Sequence, residues 1–339
     1  MGICISYDRV MEIEDWIATS SCELFREDGV VAPACLRKEL FTVGALDNLD
    51  HNPSSTTSQS SFHGTGISLF QLPTKTEAGV NRLPITIPPS GNAKHSLPDS
   101  YAFVPAVALK TTAVAVPECS VSEVTSCLDE AIAQERRWIE DALPHLETEL
   151  TCGDAIAWAA YHASIQPPVE DPPALHALPL FYEKSATPAM IKHSMDVLRQ
   201  AVEFLNPGQI PVTTFDQPLF ALAKCIQWKW PDTHGEKGHV VMLGGLHTEM
   251  ALWNTLGDVL DGSGWITALT EAGVASPGTA NSYLKAAHLT RTRHAHQTTL
   301  LTLHNLQKEP FLLSEGSKDF VCFNAWKNDM QKKSHTFMY

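Results

Sequence analysis

Two aspartates stand where apolar, strand-like runs give way to polar residues. The run Ile210–Phe215 ends in Asp216, and Leu40–Leu46 (LFTVGAL) leads into Asp47-Asn48-Leu49-Asp50-His51-Asn52. Two carboxylates brought to one place are what a hard divalent ion takes, because Mg²⁺ and Mn²⁺ prefer oxygen ligands. Asp47 and Asp216 are therefore candidate ligands for Mg²⁺ or Mn²⁺, with Asp50 the nearest further carboxylate. His51 and His247 fall in the same strand–loop pattern and are further candidates. Asp and Asn at strand ends also satisfy turn backbone with their side chains. The residues alone leave both readings open.

Competing chemistries lack essential parts. His247-Thr248-Glu249 has the His-x-Glu of zinc deaminases, but no Pro-Cys-x-x-Cys partner accompanies it. There is no His-Glu-x-x-His helix, Gly-x-Ser-x-Gly elbow or Walker loop. A calcium loop starting at Asp47 would need an oxygen ligand where Leu49 stands. Gly64-x-Gly66 is followed by no helix start, which excludes a dinucleotide cradle. His294 and His296 would diverge by about 200° on a helix and cannot chelate as a local pair.

The elements that would position the aspartates follow from apolar periodicity. Leu40–Leu46 and Phe62–Leu72 read as strands, and Leu83–Ile87 as a short third strand. Ile210–Phe215, a helix from Pro218 to about Trp228, His239–Leu243 and a helix near His247 read as strand–helix–strand–helix. Strands joined by a crossover helix are expected to be parallel neighbours, with their chemistry outside the carboxyl ends. Residues 8–28 read as a helix, and Ser120 with Glu123 opens another by a capping box. A further helix is expected over Asp154–Ser164. Thr187-Pro188 starts a helix that ends before Pro207-Gly208. The prolines at 167, 168, 172, 173 and 179 mark a linker or surface loop. After Leu260 the pattern is helical: Trp265–Ala272, then a helix from Ser276-Pro277 that kinks and continues to Lys308. Arg291 and Arg293, on this last helix, belong to the main basic cluster. They suit either a solvated face or phosphate contact, since arginine forks match phosphate oxygens.

The stretches LFTVGALDNLDHNPSSTTSQSSFHGTGISLFQ, TTFDQPLFALAKCIQW and VVMLGGLHTEMALWNTLGDVL resemble a multicopy group of transposon-associated animal proteins, over nearly the whole chain. The segments around Asp47-Asn48 and Asp216-Gln217 in turn resemble, distantly, transposase-derived proteins with a ribonuclease-H-like core. That resemblance implies an α/β protein: a ribonuclease-H-like mixed sheet with large helical insertions and a helical C-terminal part. It places Asp47 on the first strand and Asp216 on the adjacent parallel fourth strand. It implies DNA as partner and two-metal cutting and joining. It also requires a third acidic residue on a late helix. Glu249 is the candidate, although it follows its strand too soon to match the family, and Glu271 is the next. The expected function is that of a transposase-derived protein inactive or incomplete as a DNA-cleaving enzyme. The alternative is a non-catalytic helical scaffold or protein-interaction remnant.

The expected organisation is an N-terminal helix over 1–30, the first strands of the core over 31–90, and an irregular connection with a helical insertion over 91–206. The second half of the core covers 207–260 and a helical region 261–339. The polar, basic end from Lys327 reads as a truncation. A chain of 339 residues with 44% hydrophobic content supports a sizeable core. A formal net charge of −14 argues against coating nucleic acid by bulk electrostatics, and leaves a local basic groove open. The cysteines form no Cys-x-x-Cys pair, which favours a reducing, intracellular compartment. No apolar window reaches about 18 residues, so no membrane partner is expected. The opening MGICIS fits an N-myristoylation pattern, but the acidic YDRVMEIEDW after it supplies no second membrane signal.

Overall fold

The computed structural model describes residues 5–51, 62–86, 96–108, 122–146, 173–315 and 325–326. At its centre is a five-stranded mixed sheet in the order β3-β2-β1-β4-β5. Strand β1 is Thr42–His51, β2 is Phe62–Gln71, β3 is Ala174–Ala177, β4 is Val212–Phe215 and β5 is Val240–Leu243. β1 and β2 form an antiparallel ladder from Thr42↔Gln71 to His51↔Phe62. β3 adds antiparallel to the far side of β2. β4 runs parallel to β1, and β5 parallel to β4.

Two strand expectations are corrected. The third strand is Ala174–Ala177 and not Leu83–Ile87: residues 83–86 are irregular, and Ile87 lies outside the described residues. Pro84 removes a ladder donor in the middle of that run. Ala174–Ala177 is an outer strand whose flanking prolines lie beyond the paired residues, where they cost nothing. Second, β1 does not stop before Asp47. Antiparallel pairing with β2 carries it on to His51, while its parallel pairing with β4 ends at Leu46↔Phe215.

The helices are α1 (Tyr7–Asp28), α2 (Ser122–Leu146), α3 (Pro188–Leu205), α4 (Gln217–Lys229), α5 (Gly245–Leu260), α6 (Trp265–Glu271), α7 (Pro277–Tyr283) and α8 (Leu289–Glu315), with single turns at Asp99–Ala102 and Pro231–His234. Local chemistry explains several boundaries. Ser6 caps α1 by accepting from Arg9 N, and Gly29 closes it with a φ of 69°. Thr187 caps α3 by accepting from Met190 N, with Pro188 in the first turn. The expected kinked helix from Pro277 to Lys308 is two helices. Ala286 and His288 have φ values of 50° and 60° between them, and left-handed residues cannot continue a right-handed helix. The helix expected over Asp154–Ser164 lies outside the described residues.

The chain forms two compact units, Met1–Cys119 with Pro167–Thr248 and Ser120–Gln166 with Glu249–Tyr339. In the first, α3 lays Met190, Ile191, Met195, Leu198 and Leu205 into a core shared with Leu46 of β1, Ile67 and Leu69 of β2, Phe215 of β4 and Leu219 of α4. Alternation along the strands explains this: Thr42, Gly44 and Leu46 are buried, while Val43 and Ala45 between them are half-buried. Close approach is built in, since a Cβ on Gly44 would stand 2.5 Å from Leu198 Cδ2. The opposite sheet face is apolar and largely open. Leu175, Phe70, Val43, Val212 and Val240 form one registered row across all the strands, and Leu175 is 61% exposed. The second unit has its own core, with Trp265, Leu269, Ala280, Tyr283 and Ala295.

A side chain prolongs the β1–β4 pairing. Thr42 N donates to Gln209 Oε1 at 2.9 Å, and Gln209 Nε2 donates to the Thr42 carbonyl at 2.7 Å. The Gln209 amide thus takes the place of a ladder residue just before β4. Gln209→Ala leaves both backbone groups of the buried Thr42 without these partners. It is expected to destabilise the chain by about 1–3 kcal/mol in urea unfolding. Gly44→Val is expected to cost about 1–3 kcal/mol by overpacking, and less in a Leu198→Ala background, where the clashing methyl groups are gone.

Candidate metal site beside the end of the β1–β4 pairing

Leu46↔Phe215 is the last parallel pair; Asp47 comes next within β1, and Asp216 is the residue that follows β4. Asp47 has the same parity as Ala45, which puts it on the open side of the sheet, while Asp216 turns its side chain to the start of α4. Adjacent strands lie about 4.8 Å apart, so the two carboxylates leave neighbouring positions. Asp47 is exposed and Asp216 half-buried. Each spends one oxygen locally. Asp47 Oδ1 accepts from Asn48 N at 2.8 Å, and Asp216 Oδ1 caps α4 by accepting from Leu219 N at 2.9 Å. The Oδ2 atoms have no hydrogen-bond or ion-pair partner among the described residues. Asn48 points the other way and accepts from the buried Ser185 Oγ at 3.0 Å.

The remaining candidates are placed less favourably. The backbones of Asp50 and His51 belong to β1, but their side chains lie outside the described residues. His247 is half-buried in the first turn of α5, two residues past the Gly244-Gly245 that follows β5. Gly244 N donates to the Phe215 carbonyl at 2.7 Å, which ties this end of β5 to the Asp216 strand. Glu271 is exposed at the end of α6. Glu249, the expected third acid, is engaged elsewhere. Arg293 Nε donates to its Oε1 and Nη2 to its Oε2, both at 2.8 Å, and Trp253 Nε1 donates to Oε1 at 2.9 Å. The Arg293 hydrogen bonds hold its carboxyl below the usual range against a smaller opposing effect of burial. Arg293 therefore directs its fork at a carboxylate of its own chain, while Arg291 is exposed. Among the described residues, no group of three or more His, Cys, Asp or Glu side chains is arranged to hold a metal ion.

Sequence reasoning missed a buried polar cluster at the opposite end of the parallel strands. His234 Nε2 lies 3.2 Å from Asp196 Oδ1, and Arg199 and Lys192 pair with the same carboxylate. His239 Nε2 bonds Thr213 Oγ1 at 2.8 Å, and Gln227 Nε2 donates to the His239 carbonyl at 2.6 Å. The i, i+3 and i, i+4 spacing of Lys192, Asp196 and Arg199 on a helix was a usable signal. Nothing in the sequence tied them to His234. A second missed feature is His296, stacked between Trp253 at 4.4 Å and Trp265 at 4.6 Å.

The chain belongs to a family known by a domain of unknown function, DUF8702, whose model matches residues 157–336. The match includes β4 with Asp216 and the helices after β5; β1 with Asp47 precedes it. No curated protein and no solved structure matches the chain. None of the described helices is long and apolar enough to cross a membrane.

The buried cluster gives the first unit an acid sensitivity. Burial, joined by the charges of His234 and Arg199, lowers His239 to about 4. Burial pushes Asp196 up, but His234, Lys192 and Arg199 outweigh it and hold Asp196 at about 2. A depressed histidine favours the neutral form in the folded state. Its contribution is complete above its unfolded value of 6.5 and is lost as pH falls towards 4. The Asp196 contribution is lost later, between 3.8 and 2. Urea unfolding should show stability falling by about 3 kcal/mol across the His239 window, and His239→Gln should remove most of that slope.

Proposed function

We propose that this chain is a transposase-derived protein with a ribonuclease-H-like core, which binds Mg²⁺ or Mn²⁺ weakly through Asp47 and Asp216 and does not cleave DNA. The observation that carries this reading is the pair of aspartates one step beyond Leu46↔Phe215, Asp47 in β1 and Asp216 directly after its parallel neighbour β4, in a β3-β2-β1-β4-β5 sheet. The strand order and the antiparallel β2 suit the same core. Asp50 is the nearest further carboxylate along β1 in sequence, and Arg291 is an exposed cation that suits a DNA partner.

Two-metal hydrolysis stabilises both the attacking and the leaving oxygen. That demands carboxylate ligation beyond two side chains. Glu249 supplies none while Arg293 holds both its oxygens. A bound ion would provide Lewis acidity at the pair. What the chain itself does is orient the two carboxylates and keep the Asp216 side tied to the start of α4 through its cap.

A second reading has an observation of its own: Asp47 and Asp216 already satisfy backbone donors. On this reading the chain is a non-catalytic scaffold or interaction remnant, and the aspartates are turn and cap residues. Asp216→Asn separates the two, because asparagine also caps helices but carries no charge. The metal reading predicts that Mn²⁺ binding, followed by calorimetry, weakens in Asp47→Ala and in Asp216→Asn, with melting temperature nearly unchanged in the latter. It also predicts no metal-dependent nicking of plasmid DNA by the wild-type chain. Equal Mn²⁺ binding by all three proteins would favour the scaffold. Nicking abolished by either substitution would show a complete active site.

A further inference from the structure

Cys35 and His176 are 141 residues apart in sequence, yet Cys35 Sγ lies 3.2 Å from His176 Nδ1. His176 is on β3, the outer strand of the sheet, and Cys35 is in the segment leading into β1. Both residues are exposed. We propose that they form a base-assisted thiol, a site of covalent modification by soft carbon electrophiles. A nucleophile within hydrogen-bond reach of an imidazole is the arrangement by which cysteine side chains are activated.

The pair is held as neutral thiol and neutral imidazole. Partial desolvation where the two side chains meet pushes the Cys35 thiol up, against smaller opposing effects of a backbone hydrogen bond and of Arg82, and lowers His176, although each side chain keeps much of its surface in water. Arg82 is itself engaged by Asp28 and by the carbonyls of Ala32 and Pro33. With both groups neutral, the thiol can donate to Nδ1 from the tautomer that carries the imidazole proton on Nε2. When an electrophile such as iodoacetamide approaches, the sulfur–carbon bond forms as the carbon–iodine bond breaks. Iodide leaves, and the thiol proton passes to Nδ1 and then to water. No oxidant or reductant is required.

This chemistry differs from that of an isolated thiol. An isolated thiol reacts as its thiolate, so below its pKa its rate rises about tenfold per pH unit. Base assistance by a neutral imidazole instead gives a rate that is flat between the two pKa values. The chain contains its own reference. Cys127 on α2 is also exposed, whereas Cys22 is buried and Cys225 half-buried.

The test is alkylation of the full chain with iodoacetamide from about pH 6 to pH 9, spanning the ordinary histidine and cysteine values, with the rate at each cysteine followed by peptide mass mapping. Cys35 should show a plateau from about pH 7 and should react at least about tenfold faster than Cys127 at the acidic end, within the range of general-base assistance. At the acidic end the Cys127 rate should climb with pH, because an unassisted thiol reacts only through its small thiolate fraction. His176→Gln should return Cys35 to that slope and leave Cys127 unchanged, and the wild-type chain in urea should show the same slope at both positions. A wild-type Cys35 profile parallel to that of Cys127, or a plateau that survives His176→Gln, would overturn the proposal. The wild-type comparison decides the question even if the variant does not fold.

Discussion

The parallel pairing of β1 with β4 is the constraint on which the first unit depends. It joins strands separated by well over a hundred residues, and closing so long a loop gains nothing until the contacts at its ends form. Those contacts are dense. The Gln209 amide bridges Thr42 in both directions, Thr214 Oγ1 donates to the Gly44 carbonyl at 3.4 Å, and Leu198 sits over Gly44. The same pairing sets Asp47 beside Asp216. A slip of one residue would turn one strand's side chains to the other face, burying an aspartate and exposing Leu46 or Phe215. The core and the site are thus specified by one register.

At the site, two uses compete for the same carboxylates. A capping oxygen is committed to a backbone N–H, and a metal ligand must face an ion. Asp47 and Asp216 each commit one oxygen and leave the other without a partner among the described residues. Glu249 has gone further, giving both oxygens to Arg293. Such a bidentate pair is worth more than an ordinary surface ion pair. That commitment is why the reading favours a weak single-ion site over a two-metal centre.

Much of this architecture was legible in the sequence. The runs LFTVGAL and FHGTGISLFQ read as strands because they are apolar and rich in β-formers, and Thr187-Pro188 marked the start of α3 by its cap chemistry. The parallel relation of β4 and β5 followed from the helix between them. The third strand did not show, because ALHA has no alternation and sits among prolines; its pairing with β2 is a tertiary fact. Asp47 read as a strand end because polar residues follow it, whereas the β2 ladder carries the strand on. The engagement of Glu249 by Arg293 was hidden for a similar reason: the partners are 44 residues apart, and no local spacing rule links them.

The central claim is that Asp47 and Asp216 form one metal-binding pair, and anomalous diffraction from crystals of the chain grown with Mn²⁺ tests it most directly. The account predicts a single anomalous peak within about 2.0–2.6 Å of an oxygen from each carboxylate, the distance range of hard-cation ligation, with waters completing the shell. A map with both carboxylates ordered and no peak between them, or with manganese bound elsewhere on the chain, would contradict it.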